Sequence, residues 1–121
     1  MSEELKPVGW IASSRRDLKS FPDEVRRTVG VALFRAQQGK KHAEAKPLHG
    51  FGGAGVLEVV AGREGDTFRA VYTVRFAELI YVLHCFQKKS KSGISTPKQD
   101  IELIKARLKL AEQEYKRWKT K

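Results

Sequence analysis

Two strand-like runs lying almost back to back, FRAVYTVRF (Phe68 to Phe76) and LIYVLHCF (Leu79 to Phe86), constrain the fold of this chain most. In the first, Phe68, Ala70, Tyr72, Val74 and Phe76 fall on one face, and Arg69, Val71, Thr73 and Arg75 on the other, the period of a β-strand. The second is apolar nearly throughout, as a central strand covered on both sides must be. Ala77 and Glu78 alone separate the runs, so they are expected to be adjacent. Upstream, VLEVVA (Val56 to Ala61) reads as another strand, joined to the first by the turn GREGD, which completes a meander. One face of the Phe68 run should be core and the other available for work. Arg69 and Arg75 lie on that second face, with Lys88, Lys89 and Lys91 of QKKSKSG just beyond the last strand, a charged platform that suits a phosphate backbone.

Helices are expected before and after this meander in the chain. Val25, Val29, Leu33 and Ala36 follow helical spacing between Pro22 and Gln38, with Gly39 placed to end the helix and Asp23 and Glu24 favouring its positive start. The last helix opens at STPKQ: Thr96 is expected to cap it, Pro97 to take the first helical position and Gln99 to complete a capping box. Its stripe of Ile101, Ile104, Leu108, Ala111 and Tyr115 should pack on the sheet while Lys98, Lys105, Lys109 and Lys116 meet solvent. PVGWIA (Pro7 to Ala12) reads as an opening strand and SSRRDLKSF as a turn into a short helix. GKKHAEAKPLHGFGGAG has neither period and reads as a connecting loop; its GFGGAG lacks the Lys-Ser/Thr ending of a phosphate loop. The whole is α+β: a small, mostly antiparallel twisted sheet with helices packed on it.

The 121 residues, 40% apolar, suffice for one modest core, so a single domain over 1–121 is expected. The formal charge of +10 favours polyanionic partners, nucleic acid first. It is concentrated late, with eleven Lys/Arg against four Asp/Glu from residue 87 onward. Cys85 is alone in an apolar run, which rules out a disulfide within the chain and fits a reducing compartment. The acidic start and the absence of a long apolar run suggest a cytoplasmic protein without membrane contact. His84 and Cys85 read as packed core groups, and His42 and His49 as loop residues. With no carboxylate or cysteine at ligand spacing, neither a metal nor another cofactor is expected.

These residues carry a resemblance. KPLHGFGGAGVLEVV, then FRAVYTVRF, then IYVLHCFQKKSKSGISTPKQDIELIKARLKLAE resembles the RelE/HigB-type toxins of bacterial toxin-antitoxin systems, in particular their phage-derived branch, from about Lys6 to Tyr115. The resemblance implies a RelE-like fold, entry into the ribosomal A site, cleavage of mRNA during translation, and neutralisation by a cognate antitoxin, often a helix-turn-helix repressor. It matches Arg69 to the arginine at the scissile phosphate, and Lys88 and Lys89 to the basic residues after the last strand.

Metal-free RNA cleavage needs a base for the 2′-hydroxyl, cations for the phosphorane and an acid for the 5′-oxygen. Arg69 and Lys88 are the candidate catalytic residues; Lys46, His49, Arg63, Arg75, Lys89 and Lys91 are candidates for holding RNA. The chain departs from the family pattern where some members carry lysines before the arginine, having Leu57, Glu58, Val59 and Val60 instead. Glu58 is then either a base or the ion-pair partner of a strand arginine, and Tyr115, on the apolar stripe, is a packing residue. A shared fold leaves a second class of function open: a toxin of the ParE type that blocks DNA gyrase, or a degenerate phage protein that only binds a partner.

Overall fold

The computed structural model describes residues 4–53, 55–88 and 96–120. Five strands, β1 (Val8–Trp10), β2 (Ala45–Pro47), β3 (Val56–Arg63), β4 (Asp66–Thr73) and β5 (Ile80–Lys88), form one sheet in the order β1-β5-β4-β3-β2. Three helices, α1 (Ser14–Lys19), α2 (Asp23–Gln37) and α3 (Lys98–Lys119), complete it. The meander β3-β4-β5 is antiparallel, as its short turns demand, and β1 joins β5 in parallel. The α+β class and the mostly antiparallel sheet are as the sequence indicates.

The sheet is covered on both faces. Val25, Val29, Ala32, Leu33 and Ala36 of α2 pack on Leu57, Val59, Phe68, Ala70, Tyr72, Ile80, Val82 and Cys85. Ile104, Leu108 and Ala111 of α3 pack on Val56, Val71, Tyr81 and Leu83 from the other side. The second face of the meander, expected to be open, is therefore a second core over most of its area, and only its end nearest the start of α3 remains for polar work. Phe76 also moves. Alternation alone puts it with Phe68 and Tyr72, but β4 stops at Thr73 and Phe76 turns into the α3 core, against Tyr81 and Tyr115.

Local signals account for the helix ends. Gly39 takes φ +78, and the bonds Gly39 N–H to Ala36 O and Lys40 N–H to Arg35 O are those of a Schellman stop. β2 lies inside the segment read as a loop: Ala45, Lys46 and Pro47 pair with Val59, Glu58 and Leu57. Three residues ending in proline show no alternation, and an edge strand is where proline is tolerated.

Between Val71 and Tyr72 the β4-β5 register slips: Val71 faces His84 while Tyr72 faces Val82, so Leu83 is the extra residue of a β-bulge. Without it His84 would join Ile80 and Val82 on the α2 side. With it, His84 and Phe86 face α3.

Candidate functional site

The bulge and the pleat bring a polar cluster together where the sheet meets the first turn of α3. Lys46 of β2, Glu58 of β3, Val71 of β4 and His84 of β5 lie in one row across the sheet, and Val60, Arg69 and Phe86 in the next. Lys88 lies one step further, in register with Thr67. Diagonal neighbours on an antiparallel pair lie roughly 7–8 Å apart, so Arg69 and Lys88 share one small surface.

Arg69 is buried, its side chain 4% exposed, and is held by Glu58, whose side chain is 11% exposed. Arg69 Nη1 donates to Glu58 Oε1 (2.9 Å) and to Thr96 Oγ1 (3.3 Å), and Thr96 Oγ1 donates to Glu58 Oε2 (2.5 Å). The three side chains close a ring between the sheet and the residue before Pro97. Of the two readings of Glu58, pairing with a strand arginine is the one observed. Thr96 does not cap α3: Pro97 is the N-cap and no side-chain bond caps the helix, because the threonine hydroxyl is engaged with Glu58 and Arg69 instead.

A second polar network lies next to the first. His84 Nε2 and Asp100 Oδ1 are 2.9 Å apart, and Arg107 Nη1 reaches both His84 Nδ1 (3.2 Å) and Leu83 O (2.9 Å). Arg107 Nη2 donates to Ser13 Oγ, which donates to Asp17 Oδ2. Since Arg107 can only donate, Nδ1 accepts and the imidazole proton sits on Nε2, facing Asp100. Burial lowers the His84 pKa, outweighing the hydrogen bond to Asp100 that raises it, with Arg107 lowering it further. The ring is therefore neutral at pH 7, and it stacks on Phe86 at 4.5 Å. His84 is buried as expected, but as the centre of a polar network. Burial also pushes the Cys85 thiol up to about 12, so this cysteine is a packing group.

The other expected site residues scatter. Lys46 is exposed, opposite Glu58, and belongs to the cluster. Arg63 falls on the α2 side of β3, 3.7 Å from Glu24 of that helix. Arg75 is beyond the far end of β4, paired with Glu112 at 2.8 Å; the four strand steps from Arg69 to Thr73 already put that end about 13 Å away. His49 is exposed past the Val56 end of β3, and so lies at the Arg75 end. These three do not join Arg69 on one surface. Lys89 and Lys91 lie outside the described residues. Of the residues that complete these networks, the sequence marks Thr96 only as a helix cap and offers no signal for Asp100 or Arg107.

The sequence matches the family model for the phage derived protein Gp49-like (DUF891) over residues 16–109. The chain belongs to this family. Every residue of the two polar networks except Ser13 falls within the matched span. No curated protein matches the sequence. Among solved structures, a mutant of the Escherichia coli toxin RelE in the free state is similar at 13% identity and a TM-score of 0.50, over 67% of this chain and 81% of that one. The toxin-antitoxin complex RelBE2 of Mycobacterium tuberculosis is similar at 20% identity and a TM-score of 0.46, over 74% of this chain and 98% of that one. The family member thus has a RelE-like fold. Among the described residues, no helix is long and apolar enough to cross a membrane.

Proposed function

We propose that this protein is the toxin of a toxin-antitoxin pair, and that it arrests translation by cutting mRNA on the ribosome as a metal-independent endoribonuclease. What supports this most is the convergence of Arg69, Lys88 and Lys46 on one end of the sheet in a chain of net charge +10 with a RelE-like fold. Arg69, fixed by Glu58 and Thr96, is the cation for the phosphorane; a preorganised donor costs no reorganisation as charge develops. Lys88 lies beside it for the departing 5′-oxygen. Lys46, with Lys89 and Lys91 of the following segment, tracks the RNA backbone. Glu58 already receives two hydrogen bonds, so its role in this reading is to hold Arg69.

The partner is an antitoxin with an acidic contacting segment, of the helix-turn-helix type by resemblance; opposite charge speeds its association with a basic toxin and covers the RNA surface. The place of action is the cytoplasm. One observation favours a second reading, a non-catalytic binder such as a gyrase inhibitor: Glu58 compensates the charge of Arg69, and β3 carries Leu57, Val59 and Val60 where some related toxins have lysines.

The test is induced expression in bacteria with transcriptome-wide mapping of mRNA 5′ ends, comparing the native chain with Arg69→Lys. Lysine keeps a cation beside Glu58 but loses the planar fork, whereas alanine would strand a buried carboxylate and confound activity with folding. New cuts inside translated codons, depleted in Arg69→Lys, are expected. Growth arrest without cuts would support the binder, and neither arrest nor cuts would refute the toxin reading. Steep loss of ribosome affinity with salt should accompany cleavage.

A further inference from the structure

We propose that the cleft between β1 and the last turns of α3 binds an unstacked nucleobase of single-stranded RNA, with Trp118 as the stacking surface. This site is separate from the cleavage site above: Trp118 stands at the opposite end of α3 from Thr96 and Arg69, about 30 Å away by helix rise.

An aromatic column leads to the cleft. Phe76, buried in the α3 core, packs against Tyr115 with ring centroids 4.7 Å apart, and Tyr115 stacks on Trp118 at 6.0 Å with the planes 21° apart. Trp118 lines the cleft and Tyr115 does not, so the column ends on a tryptophan that borders open space. Backed by two rings and still 41% exposed, this indole offers a face for one more ring. Trp10, the other tryptophan of the chain, lines the same cleft, as does Tyr81, whose ring lies so close over Gly9 that a Cβ there would come within 2.5 Å. The volume, about 490 Å³, falls within the roughly 300–1,000 Å³ of small-ligand sites.

The polar groups around the cleft suit a nucleotide. Arg117 lines it, and Lys116 and Lys119 stand beside Arg117 on the last turn of α3. Glu114 pairs with Arg117, and Glu78 with Lys119 at 2.7 Å; exposed pairs of this kind hold weakly and open to a backbone phosphate. On β1, pairing with β5 uses Pro7 O and Ile11 N–H, so the alternate residues Val8 and Trp10 turn their N–H and C=O groups outward at the edge of the sheet, as donors and acceptors for a base edge. That edge also offers pairing to an extended peptide, but β1 is three residues long and gives a peptide few ladder bonds. An aromatic face beside cations is how single-stranded RNA is held.

The experiment uses the full chain without ribosomes. Because both tryptophans line the cleft, intrinsic fluorescence reports on it directly, and RNA bound elsewhere on the basic surface leaves the emission unchanged. A single-stranded hexaribonucleotide should quench the emission, and a blunt RNA duplex at equal phosphate concentration should not, because its bases are already stacked. Trp118→Leu should weaken binding of the labelled single strand, read by anisotropy, by about fivefold to a hundredfold, the worth of one stacked base, and Trp118→Phe should stay within about threefold of native. Arg117→Gln should reduce the slope of log affinity against log salt by about 0.7, one phosphate contact on a single strand. Thermal unfolding checks each variant; if Trp118→Leu unfolds, the comparison of single strand with duplex, which needs no variant, decides. No quenching by the single strand, equal quenching by the duplex, or a folded Trp118→Leu that binds within about twofold of native would overturn the assignment. Quenching by an acidic antitoxin segment but not by RNA would give the cleft to a protein partner and overturn it as well. The ribonuclease reading stands or falls separately, by cuts made on ribosomes.

Discussion

Removing Glu58 alone should be among the most damaging changes available to this fold, and the size of the effect follows from where the ion pair sits. Arg69 cannot shed its proton, and its side chain is only 4% exposed. In Glu58→Ala the guanidinium stays charged, loses its anionic partner and has almost no route to water. Breaking such a pair from one side costs about 3–5 kcal/mol, far above the roughly 0–1 kcal/mol of a surface bridge. Unfolding entropy near 2.1 cal/mol/K per residue gives about 0.25 kcal/mol/K for a chain this long, so Tm should fall by roughly 12–20 °C. Arg69→Ala should cost a similar amount by stranding Glu58. The double variant Glu58→Leu/Arg69→Met should be more stable than either single variant, because the desolvation of both charges disappears together. Urea and thermal denaturation of the four proteins close the cycle. Single variants costing less than about 1 kcal/mol, or a double variant as unstable as the two single losses added, would refute the view of this pair as buried and mutually dependent.

His84 makes stability depend on acid. Its pKa is lowered chiefly by burial from 6.5, so the unfolded chain takes up a proton first, and stability should fall as pH drops from about 6.5 through the lower folded-state value. The groups facing the ring, Asp100, Arg107 and, through Ser13, Asp17, remain in His84→Gln, which should flatten the Tm profile over that window; an unaltered slope would assign it elsewhere. Tyr72 is fully buried, burial pushes its phenol up to about 12, and its Oη lacks a hydrogen-bond partner among the described residues. Tyr72→Phe should therefore raise stability by about 1 kcal/mol, and a loss in urea denaturation would mean that the hydroxyl is satisfied. A Cβ on Gly9 would lie 2.5 Å from Tyr81 Cε1 and 2.7 Å from Cδ1. Gly9→Ala must then displace a ring packed edge-on against Phe76, costing about 1–3 kcal/mol; a thermal midpoint within a degree or two of native would show that β1 yields instead.

Much of this architecture was legible because it rests on local patterns. The stripes of α2 and α3, the glycine stop at Gly39 and the alternation from Phe68 to Tyr72 are set by neighbours in sequence, and each appears in place. The misses share a different origin. β2 becomes a strand only by pairing with β3, and Ala45-Lys46-Pro47 has no strand period of its own. Phe76 follows the Phe68 period in sequence, but β4 ends three residues earlier and the chain turns, so parity no longer decides its face. Arg63 is the instructive contrast. It shares parity with Leu57, Val59 and Ala61, so its place on the α2 side was available from counting alone.

The polar site was harder to read because it depends on one unpaired residue in β5. Alternation carried from Ile80 and Val82 puts His84 in the α2 core, where an imidazole has no partner and reads as a packing group. The bulge at Leu83 shifts the parity of everything after it, so that His84, Phe86 and Lys88 face α3 together. Lys88 reaches the face of Arg69 only by this shift, and His84 meets Asp100 and Arg107 only by it. A β5 of ideal register would leave Arg69 with Glu58 but direct Lys88 to the opposite side of the sheet. With Ile80 and Val82 in the α2 core, bringing Lys88 to the face of Arg69 therefore requires an irregularity between them. In this chain the bulge supplies it, and the network of His84, Asp100 and Arg107, closing on Leu83 O, holds the bulge in place.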